Sequence, residues 1–182
     1  AKQSKIMYLE GYLVTSDSAK SAIIEMKEYA IANNIKTAMT FSDPAMVEYF
    51  CDAVNEVLGD GVDLLFCNQH EAMKWAGADT IEAACEALKT KAKQFAITCG
   101  SKGALLFDGE NYIDIEPYAV DVVDTNGAGD MFAGAFMYGI TNGLDFATSG
   151  KLASLASATV VSGFGPRLEP EKHAEILKKV LA

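Results

Sequence analysis

The chain has 182 residues, a formal net charge of −10 and 50% apolar residues. That length supports one domain with a real core, and the apolar content excludes a disordered chain. The acidity, with no basic cluster, argues against nucleic-acid binding but not against a nucleotide, since backbone amides and a metal can hold phosphates on an acidic protein.

No apolar run is long enough to span a bilayer and no N-terminal signal pattern is present, so no membrane partner is expected. Cys51, Cys67, Cys85 and Cys99 lie far apart in apolar surroundings, with neither metal spacing nor a disulfide framework. They are expected to be reduced core residues of a cytoplasmic protein. His70 and His173 form no cluster with them, and no zinc site is expected.

A short polar lead passes at once into a buried-looking strand at residues 6–9, with no initiator Met, so the chain is expected to begin inside a domain. Asp17 or Ser18 is placed to cap a helix over 19–32, which Asn33 and Asn34 end. A second strand covers 37–41. Pro44 stands at the first position of the next helix, 45–58, which Gly59 stops. Residues 62–67 form a third, almost wholly apolar strand, as expected where both faces are covered. Helices over 69–75 and 80–91 and a fourth strand over 94–98 follow. Strands alternating with helices at this spacing predict an α/β domain with a largely parallel sheet.

The rhythm then changes. Gly100-Ser101-Lys102-Gly103 separates two extended runs, and a further strand is expected around 112–115. Residues 118–123 read as an extended, β-branched segment. From Met131 to Ile140 the sequence is apolar nearly all round, the pattern of a buried helix. A small-residue-rich helix over 145–161 suits close packing, and an amphipathic helix over 169–181 closes the chain.

The junction at 124–130, Asp124-Thr125-Asn126-Gly127-Ala128-Gly129-Asp130, carries the most chemistry. Glycines there free the backbone to turn and let a ligand approach closely. The first amides of the helix have no partners within it and sit at the positive end of its dipole, a place that binds anions. Asp130 falls in the first helical turn, beside the anion hole, where a carboxylate can deprotonate a hydroxyl while a phosphoryl group is held in reach. The same residues also read as an ordinary strand-to-helix turn, with Asp as a common first-turn residue.

DTNGAGD followed by MFAGAF resembles the C-terminal signature of the ribokinase (PfkB) family of carbohydrate and nucleoside kinases. The resemblance implies a ribokinase-like three-layer α/β/α sandwich with a mostly parallel sheet. It covers nearly the whole chain but only the C-terminal portion of one kinase domain, so the N-terminal portion, its lid and most of the substrate site are expected to be absent. The edges and apolar faces left exposed would favour self-association.

By the same resemblance, Asp130 is the catalytic base, and the amides of Gly127, Ala128 and Gly129 form the anion hole. Asn68 and Glu71, spaced N-x-x-E after the third strand, resemble the family's motif for organising Mg2+ through water, with Asp124 as a further candidate. Read without the resemblance, the pair is a helix cap with its capping-box partner. Thr98-Cys99-Gly100-Ser101-Lys102-Gly103 matches the family's T-x-G-x-x-G nucleotide loop, giving Thr98, Gly100 and Gly103 as ATP contacts; alone it is a glycine-bearing turn. Gly165 and Asn126 fall where relatives line the adenine pocket or a loop that binds K+. Trp75 is expected to pack, and Asp43 to cap the Pro44 helix.

The implied activity is ATP-dependent transfer of a phosphoryl group to the hydroxymethyl group of a sugar or nucleoside, and the signature with Asn126 resembles adenosine kinases as well as sugar kinases. The alternative is a non-catalytic nucleotide-binding or regulatory module of the same fold. A dinucleotide-dependent oxidoreductase is disfavoured, because a strand follows the glycine loop instead of a helix.

Overall fold

The computed structural model describes residues 3–181. The chain divides into two compact units, Ala1–Ile97 and Thr98–Ala182. The first unit contributes strands β1 (Ile6–Glu10), β2 (Lys36–Thr40), β3 (Val62–Asn68) and β4 (Ala92–Thr98), side by side in chain order. β1 pairs parallel with β2 and β2 parallel with β3; Leu9 stands opposite Met39, and Met39 opposite Leu65. All three side chains are buried, as are Ala38, Leu64 and Phe66, which accounts for the apolar residues at the centre of these strands.

Helices α1 (Asp17–Ala32), α2 (Pro44–Tyr49), α3 (Cys51–Leu58), α4 (Gln69–Ala76) and α5 (Ile81–Leu88) fill the connections. Ser16, rather than Asp17 or Ser18, occupies the capping position of α1; its hydroxyl is engaged with that of Ser18 at 3.1 Å instead of with the helix. The single helix expected over 45–58 is two, because Phe50 leaves helical geometry at φ −125°, ψ 26°. Pro44 opens α2, and Asp43 caps it through the amide of Ala45 at 2.8 Å. Trp75 donates from its indole to Asn55 and packs 5.7 Å from the Phe41 ring, a structural position as expected.

A lysine sits inside this unit. Lys27 lies on the buried stripe of α1 with Ile23 and Ala30, and its ammonium donates to the carbonyls of Val57 and Leu58. These are carbonyls at the end of α3 that no helical amide can reach, so a cation there satisfies both the hydrogen bonds and the helix dipole. Burial holds its pKa below the ordinary lysine range, with Asp60 opposing and Lys91 reinforcing.

Across the strands, one oxygen of Asp63 accepts from the Thr37 amide (2.8 Å) and hydroxyl (3.1 Å), and the other accepts from Lys93 (2.8 Å). Burial alone would raise this carboxyl. The hydrogen bonds from Lys93 and Thr37 together outweigh it and hold the pKa below the usual range. The stabilisation is therefore present above the unfolded pKa and lost as pH falls through the lower folded value. Asp63→Ala is expected to cost about 1 kcal/mol at neutral pH, the site being partly solvated. Urea denaturation should show this penalty at pH 7 and not at pH 2.5; an equal penalty at both would rule the ionic contribution out.

The second unit opens with the antiparallel hairpin of β5 (Ala104–Phe107) and β6 (Tyr112–Ile115), in which Ala104 stands opposite Ile115. Asp108 closes its turn by accepting from the amides of Glu110 and Asn111. Helices α6 (Ala128–Thr141), α7 (Phe146–Val161) and α8 (Pro170–Leu181) follow.

The small residues of α7 let α6 approach closely: a Cβ on Gly139 would lie 2.5 Å from the Ser149 hydroxyl. Ile176 of α8 packs on Leu152, Leu155 and Ala156. Two expectations are corrected here. Helix α6 buries one stripe, Phe132, Ala133, Phe136 and Gly139, and leaves Tyr138 49% exposed, so it is not buried on all sides. Residues 118–123 form no strand. Tyr118 is anchored on the α7–α8 cluster, but Val122 is 63% exposed, and the segment's bond into the unit is the Val123 amide to the Val161 carbonyl at 2.8 Å.

Among the described residues no helix is long and apolar enough to cross a membrane. The four cysteines are free thiols, with Cys67 and Cys85 buried and Cys51 and Cys99 half-buried.

Candidate active site

The 124–130 stretch is held from behind by the end of α7 and the loop after it. The Val161 carbonyl accepts from the amides of Val123 and Asp124, at 2.8 and 3.2 Å. The Asp124 carboxylate spans two loops: one oxygen accepts from the Asn126 amide at 3.0 Å, the other from the Gly165 amide at 3.2 Å. Gly127 precedes α6 in the left-handed region at φ 76°, and a Cβ there would lie 2.5 Å from the Pro166 side chain. Glycine is thus required at 127 twice over, by conformation and by space.

The first in-helix bond of α6 runs from the Met131 amide to the Gly127 carbonyl at 2.8 Å. The amides of Gly129 and Asp130 precede it and have no helical partner to turn to. That of Ala128 is turned onto the Thr125 carbonyl at 3.3 Å, so it is the most engaged of the three amides expected in the anion hole. A Cβ built on Gly129 would meet nothing within 4 Å, and Asp130 beside it is exposed. Open amides at the positive end of a helix, next to an exposed carboxylate, can hold an anion and accept a proton within one turn.

The Thr98–Gly103 stretch is a separate local construction. Gly100–Lys102 forms a 3-10 turn closed by Cys99 N–H to Gly103 O at 2.8 Å, Lys102 N–H to Cys99 O and Gly103 N–H to Gly100 O. Three of its amides are thereby used within the turn. Gly100, at φ 58°, faces open space, whereas a Cβ on Gly103 would fall 1.9 Å from the Ile115 carbonyl.

In the first unit Asn68 and Glu71 are brought together by a complete capping box. The Asn68 side-chain oxygen accepts from the Glu71 amide at 2.8 Å. The two Glu71 oxygens accept from the Asn68 amide and side-chain NH2, at 2.9 and 2.8 Å. Glu71 is only 4% exposed. Burial pushes its pKa up from 4.5 to about 7, with Asp43 adding to the rise and the Asn68 amide opposing it.

Because the folded value is the higher one, the neutral carboxyl is the form the fold favours. Its contribution is full below the unfolded pKa and is lost as pH rises through about 7. A difference of this size corresponds to roughly 3 kcal/mol at most. Glu71→Gln is therefore expected to flatten the decline in stability between pH 5 and 8, checked by guanidinium denaturation across that range. An unchanged slope would dismiss Glu71 as its source.

A model of the pfkB family of carbohydrate kinases matches residues 1–173. The ribokinase of Lactococcus lactis subsp. lactis (strain IL1403) is 36% identical over 121 residues, covering 66% of this chain and 39% of its own. The adenosine kinase of Saccharomyces cerevisiae (strain ATCC 204508 / S288c) is 28% identical over 182 residues, covering 93% of this chain and 53% of its own. The crystal structure of adenosine kinase from Sinorhizobium meliloti is similar with a TM-score of 0.92 and 33% identity, over 98% of this chain and 55% of that one.

The chain spans about half the length of the relatives it matches. The likeness runs through both units and includes the helix that DTNGAGD opens, and on that ground the chain belongs to the pfkB family of carbohydrate kinases, with the ribokinase-like α/β fold.

Proposed function

We propose that this chain carries the nucleotide-binding and catalytic part of an ATP-dependent phosphotransferase whose acceptor is the hydroxymethyl group of a sugar or nucleoside. The observation that carries the reading is the exposed Asp130 carboxylate in the first turn of α6, directly beside the exposed Gly129, whose amide precedes the first in-helix bond. Asp130 takes the proton as the acceptor O–H bond breaks. The freed oxygen forms its bond to the γ-phosphorus in line as the bond to the ADP oxygen breaks. The amides of Gly127, Ala128 and Gly129 stabilise the charge on the phosphoryl oxygens, that of Ala128 giving up its bond to the Thr125 carbonyl to do so. Thr98, Gly100, Gly103, Asn126 and Gly165 are the proposed nucleotide contacts.

Asn68 and Glu71 are the residues that would organise magnesium, which would supply positive charge against the phosphates. Magnesium keeps most of its waters and needs only one or two carboxylates. Both Glu71 oxygens already accept N–H groups and the side chain is buried, so the capping box as it stands leaves no free oxygen for a direct metal bond, and any role of this pair toward magnesium would run through water. Among the described residues no three acidic, His or Cys side chains gather as a metal cluster. The two amides bound by Asp124 suit it to holding the loop, and K+ is the cation proposed for the carbonyls around Gly165.

The second reading is a nucleotide-binding or regulatory module of the same fold without turnover. A screen of the full-length protein with ATP and magnesium against ribose, fructose, related ketoses and adenosine separates the two. One preferred acceptor establishes the kinase; ATP binding without turnover on any acceptor supports the module.

A further inference from the structure

Ser157 stands on α7, outside every motif named above, and its hydroxyl donates a 3.0 Å hydrogen bond to the carbonyl of Ala128 in the first turn of α6. A helical serine or threonine ordinarily bonds back to a carbonyl of its own helix. Thr159, two residues on, does so, donating to Leu155 at 2.7 Å. Ser154 reaches instead to the Glu116 carbonyl at 3.3 Å. Ser157 thus reaches across to α6 at the point where the helix begins.

The Ala128 carbonyl and the Gly129 N–H belong to one planar peptide unit. Holding the oxygen fixes the direction in which that N–H points. A hydrogen bond accepted by the oxygen also polarises the unit and makes the N–H a stronger donor. Gly129 is exposed, and its amide precedes the first bond of the helix.

We infer that Ser157 is a positioning residue for the anion-binding amide of Gly129, acting through the Ala128 carbonyl. The inference rests on the anion-hole reading of α6 given above. It adds a residue 28 positions beyond Gly129 that aims the amide and sets its donor strength without touching the ligand.

The test is an amide-resolved NMR titration of the chain with ATP and magnesium, in the wild type, Ser157→Ala and Ser157→Thr. Loss of the hydroxyl is expected to move the Gly129 amide proton upfield and to weaken ATP binding about two- to tenfold. Threonine, which keeps the hydroxyl, is expected to restore both. A purely structural role would predict shift changes spread over α6 and α7 and no rescue by threonine with its added methyl. Ser157→Cys, close in volume with a weak S–H donor, gives the same two readouts if alanine unfolds the chain.

Unchanged Gly129 shift and ATP affinity in the hydroxyl-free variant would overturn the inference. Failure of the wild type to bind ATP would sink the kinase reading instead, and the Gly129 shift alone would then decide whether Ser157 governs that amide.

Discussion

Asparagine in place of Asp130 is expected to lower kcat of the full-length protein by about 10²- to 10⁴-fold, the usual contribution of a positioned general base. KM for ATP should change far less, because the amides that hold the phosphates stay where they are. The substitution is isosteric, and Asp130 is exposed. Its tie to the fold is the attraction of a first-turn carboxylate to the helix dipole, about 0.3–1 kcal/mol. Thermal denaturation should accordingly be nearly unchanged, so a loss of turnover cannot be ascribed to unfolding. The activity readout is ADP release with the preferred acceptor under saturating ATP. Wild-type turnover in the variant would remove Asp130 as the base. An equal loss in kcat and in ATP affinity would instead assign it to phosphate or metal binding.

Much of the first unit was legible in the sequence because its signals are local. An apolar run such as 62–67 is a covered strand whatever surrounds it, and Asp43 before Pro44 caps a helix through its own neighbour. The capping box of Asn68 and Glu71 was legible for the same reason, since both partners lie within one helical turn.

What escaped depends on distant partners. The β-branched segment 118–123 has strand propensity, but a strand also needs a neighbour to pair with, and sequence alone does not supply one. Lys27 sits where the helical pattern places an apolar residue. Its long stem can lie in the core because two carbonyls at the end of α3, 30 and 31 residues away, receive the charge. The break at Phe50 is marked by neither glycine nor proline.

At the candidate site, DTNGAGD itself marks the base and the helix start. The bond from Asp124 to Gly165 spans 41 residues, and that from Ser157 to Ala128 spans 29, so no spacing rule reaches either.

Alanine at Gly103 is expected to be the most damaging single methyl group in the second unit. Gly103 lies at φ 88°, ψ −133°, a region that costs a side chain of order 1–3 kcal/mol even in open space. Space is not open there: the added Cβ would fall 1.9 Å from the Ile115 carbonyl and 3.0 Å from the Pro117 nitrogen. Both are backbone atoms, so relief requires moving the end of β6 away from Ala104, the residue paired with Ile115. Strain and broken pairing together should cost roughly 3–5 kcal/mol. In a chain of this size that lowers Tm by about 6–20 °C.

Gly100, three residues earlier in the same loop, is the control. It also has positive φ, 58°, but a Cβ there meets nothing within 4 Å. Gly100→Ala should therefore lose only the left-handed penalty, about 1–2 kcal/mol. Calorimetry of the two variants distinguishes the causes: a large drop for Gly103→Ala with a small one for Gly100→Ala assigns the effect to the clash with β6. Similar drops would assign it to backbone conformation alone. The contrast also divides the T-x-G-x-x-G loop by purpose. Gly103 is also required by the fold, so a loss of ATP affinity on its substitution does not by itself report the nucleotide contact proposed for it. Gly100 is the position at which a change in ATP affinity, without unfolding, reports contact between this loop and a phosphate.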